Sequence, residues 1–381
     1  MAPPPAAGAP PPPPAAGASP PAAAGPAAPI GRPAIAPSAI APPAPPPANT
    51  PEAAARRAFV PPPAQDNARR LDDVRGARRE VRDGDRVVIQ EPGRVIIREG
   101  GRTIIRHNEA DRFRWSARDV RVERRGDDTV TVFERPDGTR VYSVTDESGR
   151  LLRRYRRGID GRDIVIIDNS YRGPPRPAGF FIDLPPPRIR IPRRAYIVDM
   201  EQAPPGYIGY ALMAPPVEHV DRAYTLDEVR YSAPLRDRMP RVDMDSVTFE
   251  SGSWELTPDQ IQKLAVIADG INRAIAANPS EVFLIEGHTD AVGTENDNLS
   301  LSDRRAESVA LALSQQFGVP SENLTTQGYG EQYLKVPTQG PLRENRRVTA
   351  RRITPLLTGQ NEAVPGAPPP PPPQHGDAPP Q

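Results

Sequence analysis

The sequence contains no cysteine. That excludes disulfides, thiolate metal sites and thiol catalysis, and it offers no residue for N-terminal lipidation. Histidine is scarce. The four present, His107, His219, His288 and His375, are scattered without metal-ligand spacing, so no metal and no cofactor is expected. No serine sits in a nucleophile elbow, and no reactive constellation of the kind a hydrolase needs is visible. The chain reads as a non-enzyme. Lysine is almost missing as well: of 49 basic residues only Lys263 and Lys335 are lysines. We read the arginine excess as coding bias toward Arg and Pro codons. Net charge is +1, so the whole molecule carries no obvious polyanion signature. No apolar run approaches the 18 or so residues of a membrane helix. The opening MAPPPAAGAP has neither a basic nor an apolar signal-peptide region. Either a leader lies outside this sequence or the protein stays in the cytoplasm, and both remain open at this level.

Proline is what the sequence has in abundance: 53 residues, 23 of them within 1–63. Residues 1–65 and 358–381 are Ala/Pro-rich, with too little aliphatic bulk to offset chain entropy. They are expected to be disordered arms of polyproline II character. Extended at about 3.1 Å per residue, the first would reach on the order of 200 Å. Three units, RVVIQEPG, RVIIREGG and RTIIRHNE, then repeat with a period of eight from Arg86, Arg94 and Arg102. Each is a short β-branched strand closed by turn residues, which predicts an antiparallel β-meander over 83–169. Its arginines are expected on outward positions. They would form either a polyanion-binding surface or a solvated face of cross-strand charge pairs, and the second is the ordinary use of such residues. Residues 170–240 read as a Pro-rich connector with one short helix near Thr225–Ser232, packing against a neighbour.

From residue 241 to 357 the pattern is regular. SVTFE, EVFLIEGH, NLTTQGYG and RRVTARRI read as strands. A helix begins at Thr257-Pro258, and a second runs through LSLSDRRAESVALALSQQFG. The resulting β-α-β-α-β-β order makes the chain α+β, with helices on one face of the sheet. Asp290 lies just past a buried strand. Asn298, Ser300 and Ser302 crowd the start of the next helix, and Arg305 lies about a turn further in. A carboxylate, a guanidinium and helix N-terminal donors suit a zwitterionic ligand. The same spacing equally suits an internal Asp290–Arg305 salt bridge.

Five motifs bear on that choice: FESGSWELTP, EGHTDAVG, NLSLSDRRAESV, TQGYGE and NRRV. In this order and spacing they resemble the OmpA-like peptidoglycan-binding domain, over roughly residues 240–355. The resemblance implies that Asp290 and Arg305 hold the diaminopimelate residue of the peptidoglycan stem peptide. It also brings Thr289, Ala291, Asn298, Leu301, Ser302, Asn345 and Arg346 to the site or its flank. The family often has a polar residue where this chain has Ala291, which leaves a backbone contact there in place of a side-chain one. The function implied is a non-catalytic cell-wall anchor, periplasmic or associated with the outer membrane. The N-terminal sheet and arms would then serve as spacer or as the binding region for an envelope protein. The alternative is a polyanion or nucleic-acid binder acting through the Arg-rich sheet. It is the lesser reading, and no nucleic-acid partner is expected.

Overall fold

A computed structural model describes residues 68–147, 149–170, 182, 184–365 and 367. The expected arm 1–65 lies outside these residues, as does most of the tail. The architecture is mixed α+β and contains three sheets.

The eight-residue repeat folds as the turn chemistry requires. Strands β2 (Arg86–Glu91), β3 (Arg94–Glu99) and β4 (Arg102–His107) each begin on a repeat arginine. Gly93, Gly100 and Gly101 take positive φ in the turns between them. A fourth strand, β1 (Arg79–Asp83), precedes them, and the four form one antiparallel meander. The pairing sets Ile89 opposite Ile96 and Ile96 opposite Ile105. This isoleucine row packs on Leu299 of the C-terminal domain.

The region 83–169 is therefore not a single sheet. Strands β5 (Asp119–Arg125), β6 (Asp128–Glu134), β7 (Arg140–Thr145), β8 (Leu151–Arg157) and β9 (Asp163–Asp168) build a second, five-stranded meander. The break is a 3-10 stretch, Glu109–Ser116, whose Glu109, Arg112 and Phe113 are buried. Its sequence lacks period-two alternation, so it cannot continue either ladder.

The third sheet is mixed, in the order β10 (Ile197–Asp199), β11 (Arg241–Asp243), β14 (Val348–Arg352), β12 (Phe283–Gly287), β13 (Leu324–Gly328). Two expectations are corrected here. SVTFE is not a strand: the chain leaves the sheet after Asp243, and Val247 turns back onto Met244, its N–H donating to the Met244 carbonyl at 3.0 Å. The connector also contributes structure of its own. It supplies β10 and the helices α2 (Arg193–Tyr196), α3 (Pro205–Met213), α4 (Leu226–Tyr231) and α5 (Ala233–Arg236). Within it, α4 matches the expected short helix, with Thr225 and Glu228 in a reciprocal cap.

Alternation along β12 shows why both faces of this sheet are covered. Phe283 and Ile285 point into one cluster with α3 and the helices α7 (Ala265–Ala277) and α8 (Glu295–Phe317). Leu284 points into another, formed by connector residues, Ile166 and Ile167 of β9, and Leu356. The first helix after Thr257 is divided at Leu264 into α6 (Pro258–Lys263) and α7. The start of the tail is packed: Val364 is buried in the first cluster, and its N–H donates to the Met213 carbonyl at 3.2 Å.

Helix α8 crosses the sheet in close contact, and two glycines permit it. Gly287 and Gly328 are register partners on the parallel strands β12 and β13. A Cβ on Gly287 would stand 1.9 Å from the Ser302 carbonyl oxygen, and one on Gly328 would stand 2.4 Å from the Asp303 nitrogen. Backbone opposes backbone at both points, so no rotamer change relieves the clash. Gly287→Ala is expected to destabilise the fold by about 3 kcal/mol or more. A urea unfolding midpoint measures this.

Candidate functional site

Strand β12 ends at Gly287, and the next three residues are fixed by flanking loops. The His288 N–H donates to the Arg347 carbonyl at 2.9 Å, and the Thr289 N–H donates to the Gly330 carbonyl at 2.9 Å. Asp290 is thereby held where the 345–347 and 328–331 segments meet. It is 6% exposed. One carboxylate oxygen accepts from the Val292 N–H at 3.3 Å, and the other accepts from Nη1 of Arg346 at 2.6 Å. Arg346 is the most accessible member of the group, its side chain 43% exposed.

Arg305 makes no ion pair with Asp290. Its Nε donates to the Ser253 carbonyl at 2.9 Å and its Nη2 to the Glu250 carbonyl at 3.1 Å. The guanidinium stands 4.9 Å from the centre of the Phe249 ring. Burial lowers its pKa to about 10, the charge of Arg346 adds to the shift, and Asp290 opposes it. Two guanidinium groups and the Asp290 carboxylate therefore lie together, with the Glu331 carboxylate at their edge through Asn298. A ligand bearing both an ammonium and a carboxylate matches that set.

The remaining site residues divide into liners and supports. Thr289 is buried with its hydroxyl unpartnered, and Ala291 is half-buried beside Asp290. The Asn298 side chain donates to Glu331 at 2.6 Å. The Ser302 hydroxyl donates to the Leu299 carbonyl at 2.9 Å and accepts from the Gly330 N–H at 2.8 Å, which pins the 328–331 loop. Asn345 clamps Val336 through both its backbone groups, at 2.9 and 2.8 Å, and so aims the following Arg346. Leu301 faces away, against Ala68, Leu71, Val74 and Trp254.

The helix start differs from expectation. Thr294 is the cap, accepting from the Asp297 N–H at 3.2 Å, so Asn298, Ser300 and Ser302 lie inside the helix rather than at its start. Glu295 and Asp297 already supply the negative charge that the helix dipole favours there. His288 is no acid–base candidate either. Burial and the nearby Arg347 push its pKa down to about 3 against Glu286, and it stacks on Tyr329 as a neutral ring.

The arginines of the N-terminal sheets are not all outward. Arg121 pairs with Asp119, and Arg157 with Asp163, on solvated positions. Arg94, Arg112 and Arg154 are buried instead. Arg94 donates to Asp303 at 2.8 Å and Arg112 to Glu307 at 2.7 Å, while Arg135 and Arg156 both reach Glu322, at 2.5 and 3.0 Å. Arg304 donates to Glu91 at 3.1 Å and to the Pro92 carbonyl at 2.8 Å. His107 stands between Asp303, at 2.9 Å, and Glu307, at 3.3 Å. Of three consecutive helical residues, Asp303 and Arg304 are thus held by the first sheet and Arg305 by the 250–253 turn.

Sequence reasoning missed the Arg346 partner of Asp290, the Glu250–Ser253 carbonyls and Glu331. A bond to a backbone carbonyl leaves no residue-type signal, although the Ser251-Gly252 pair does mark a turn.

A profile of the OmpA family matches residues 248–347. Outer-membrane lipoprotein YfiB of Pseudomonas aeruginosa is 38% identical over 117 residues, covering 30% of this chain and 67% of that protein. The peptidoglycan-associated lipoprotein of Haemophilus influenzae is 34% identical over 88 residues, covering 23% of this chain and 54% of that protein. The crystal structure of the Burkholderia pseudomallei peptidoglycan-associated lipoprotein is 27% identical, with a TM-score of 0.24. That alignment covers 28% of this chain and 87% of the other. With five motifs in order and relatives at this identity, the chain belongs to the OmpA family through its C-terminal domain.

His107 gives the interface a pH signature. Burial opposes its charge, but Asp303 and Glu307 outweigh that and raise its pKa to about 9. The folded value lies above the unfolded one, near 6.5. The contribution is therefore fully present below pH 6.5 and is lost as pH rises through 9. Stability is expected to fall by on the order of 2–3 kcal/mol between pH 7 and 10. Urea midpoints across that range should show the slope, and His107→Gln should flatten it.

Proposed function

We propose that this protein is a non-catalytic anchor that holds the cell wall through its C-terminal domain. The ligand is the free amino-carboxyl centre of diaminopimelate in the peptidoglycan stem peptide. In this reading Asp290 takes the ammonium, and Arg305 and Arg346 take the carboxylate, with Thr289, Ala291 and Asn298 around them. Leu301, Ser302 and Asn345 support the site from behind. The observation that carries the reading is the charge set itself, one carboxylate and two guanidinium groups at the end of a buried strand. Arg346, half-exposed, is the cation the ligand ammonium would displace from Asp290.

The relatives are named as outer-membrane and peptidoglycan-associated lipoproteins, which supports a place in the cell envelope, in the periplasm or at the outer membrane. The N-terminal sheets serve as a rigid platform for an envelope partner, and residues 1–65 and 368–381 give reach.

The test is co-sedimentation of the full chain with purified diaminopimelate-type sacculi. Asp290→Ala and Arg305→Ala are expected to abolish pelleting, since removing one partner of a desolvated charge contact weakens binding by about 2–5 kcal/mol. Arg305→Lys keeps the charge but loses the planar fork, so binding should weaken without vanishing. Wild-type pelleting by either alanine variant, with circular dichroism unchanged, rejects the assignment.

A further inference from the structure

Arg305 is oriented by backbone, and the backbone that orients it is held from outside the family domain. Both of its bonded nitrogens donate to carbonyls of one short turn, Glu250 and Ser253. Nη1 carries no protein partner and is the nitrogen left for a ligand. The turn has little to hold it on its own. Glu250 and Ser251 are exposed, Gly252 is at φ +67°, and one turn bond closes it, from the Ser253 N–H to the Glu250 carbonyl at 3.1 Å.

Its other side is gripped by Arg69–Leu71. The Leu71 N–H donates to the Gly252 carbonyl at 2.8 Å, and the Trp254 N–H donates to the Arg69 carbonyl at 3.3 Å. The Ser253 hydroxyl donates to the same Arg69 carbonyl at 3.1 Å. The Arg70 guanidinium spans the turn, bonding the Ser251 carbonyl at 2.9 Å and the Glu250 carboxylate at 3.2 Å. Beneath them Leu71 and Val74 pack with Trp254 and Leu301. The gripping segment is itself tethered, since Arg75 and Arg78 both pair with Asp297 of helix α8, at 3.0 and 2.9 Å.

We propose that Arg69–Leu71 is a positioning element of the wall-binding site. It fixes the 250–254 turn, whose carbonyls aim Arg305 at the ligand. The inference rests on the reading of Asp290 and Arg305 as the ligand site. It makes that site a composite, completed by a segment 170 and more residues upstream in the sequence, and it couples wall affinity to whatever the N-terminal region binds.

The experiment uses the full chain with Arg70→Ala, and with Arg70→Ala combined with Leu71→Pro. Proline suits the first position of the short helix α1 (Leu71–Arg75) but has no N–H for Gly252. Arg121→Ala, on the far edge of the second sheet, is the control. Two readouts are taken: the rate at which phenylglyoxal modifies Arg305, mapped by peptide mass spectrometry, and sacculus binding. The grip variants are expected to modify several-fold faster at Arg305 and to bind about tenfold more weakly, as a site that loses preorganisation does. The unfolding midpoint of Arg70→Ala should stay near that of the control, while the double variant, which also loses the Leu71 side chain from its apolar contact, should fall below it. An unchanged modification rate overturns the proposal, as does unchanged affinity in a protein that binds sacculi. If the wild type does not bind sacculi, the ligand assignment falls instead, and the modification rate alone decides whether the segment positions Arg305. The exposed Arg70→Ala variant carries the test if the double variant does not fold.

Discussion

Asp303 is the charge on which the rest of the molecule turns. It is wholly buried in helix α8, and burial by itself would raise its pKa. His107 and Arg94 from the first sheet, with the Gly328 N–H at 2.9 Å, hold it ionised and lowered instead. A buried pair of this kind adds little net stability over an apolar replacement, but removing one partner costs about 3–5 kcal/mol. Its effect is therefore on arrangement. The N-terminal sheet can dock on the C-terminal domain in the position that delivers Arg94 and His107 together. A displaced docking leaves an uncompensated carboxylate in the interior.

That constraint reaches the candidate site through the helix. Asp303, Arg304 and Arg305 follow one another, so fixing the first two fixes the direction of the third. The glycine pair Gly287 and Gly328 sets how deep the helix lies on the sheet. Ser302 then ties it to the 328–331 loop, which also receives Thr289. Asp290 and Arg305 are separate in the chain and do not touch, yet both are referred to the same helix-on-strand crossing.

Much of this was legible in the residues. The eight-residue repeat, the turn glycines, the short helix near Thr225–Ser232, and Pro258 after Thr257 each carry a local rule that the structure obeys. Burial of charge was not legible. Arg86, Arg94 and Arg102 occupy the same place in the repeat, and Arg94 ends in a buried ion pair because it comes opposite Asp303. That is a tertiary accident of docking, invisible to periodicity. The second face of the C-terminal sheet was hidden for a similar reason. Continuous hydrophobicity in EVFLIEGH signals burial on both faces but does not say that connector residues and β9 supply the other layer. Asp290 with Arg346 spans 56 positions, and neither residue advertises the other.

Ala68 and Leu71 pack directly behind the turn whose carbonyls bond Arg305. Both meanders and the connector lie downstream of this segment in the chain, yet it reaches Arg305 by two short routes, through the 250–254 turn and through helix α8 at Leu301 and Asp297. A pull on this segment, resisted at the candidate site, would run along these short routes. It would load a few hydrogen bonds in shear and leave the sheets slack. Strain entering through this segment would therefore reach Arg305 before it reached the sheets.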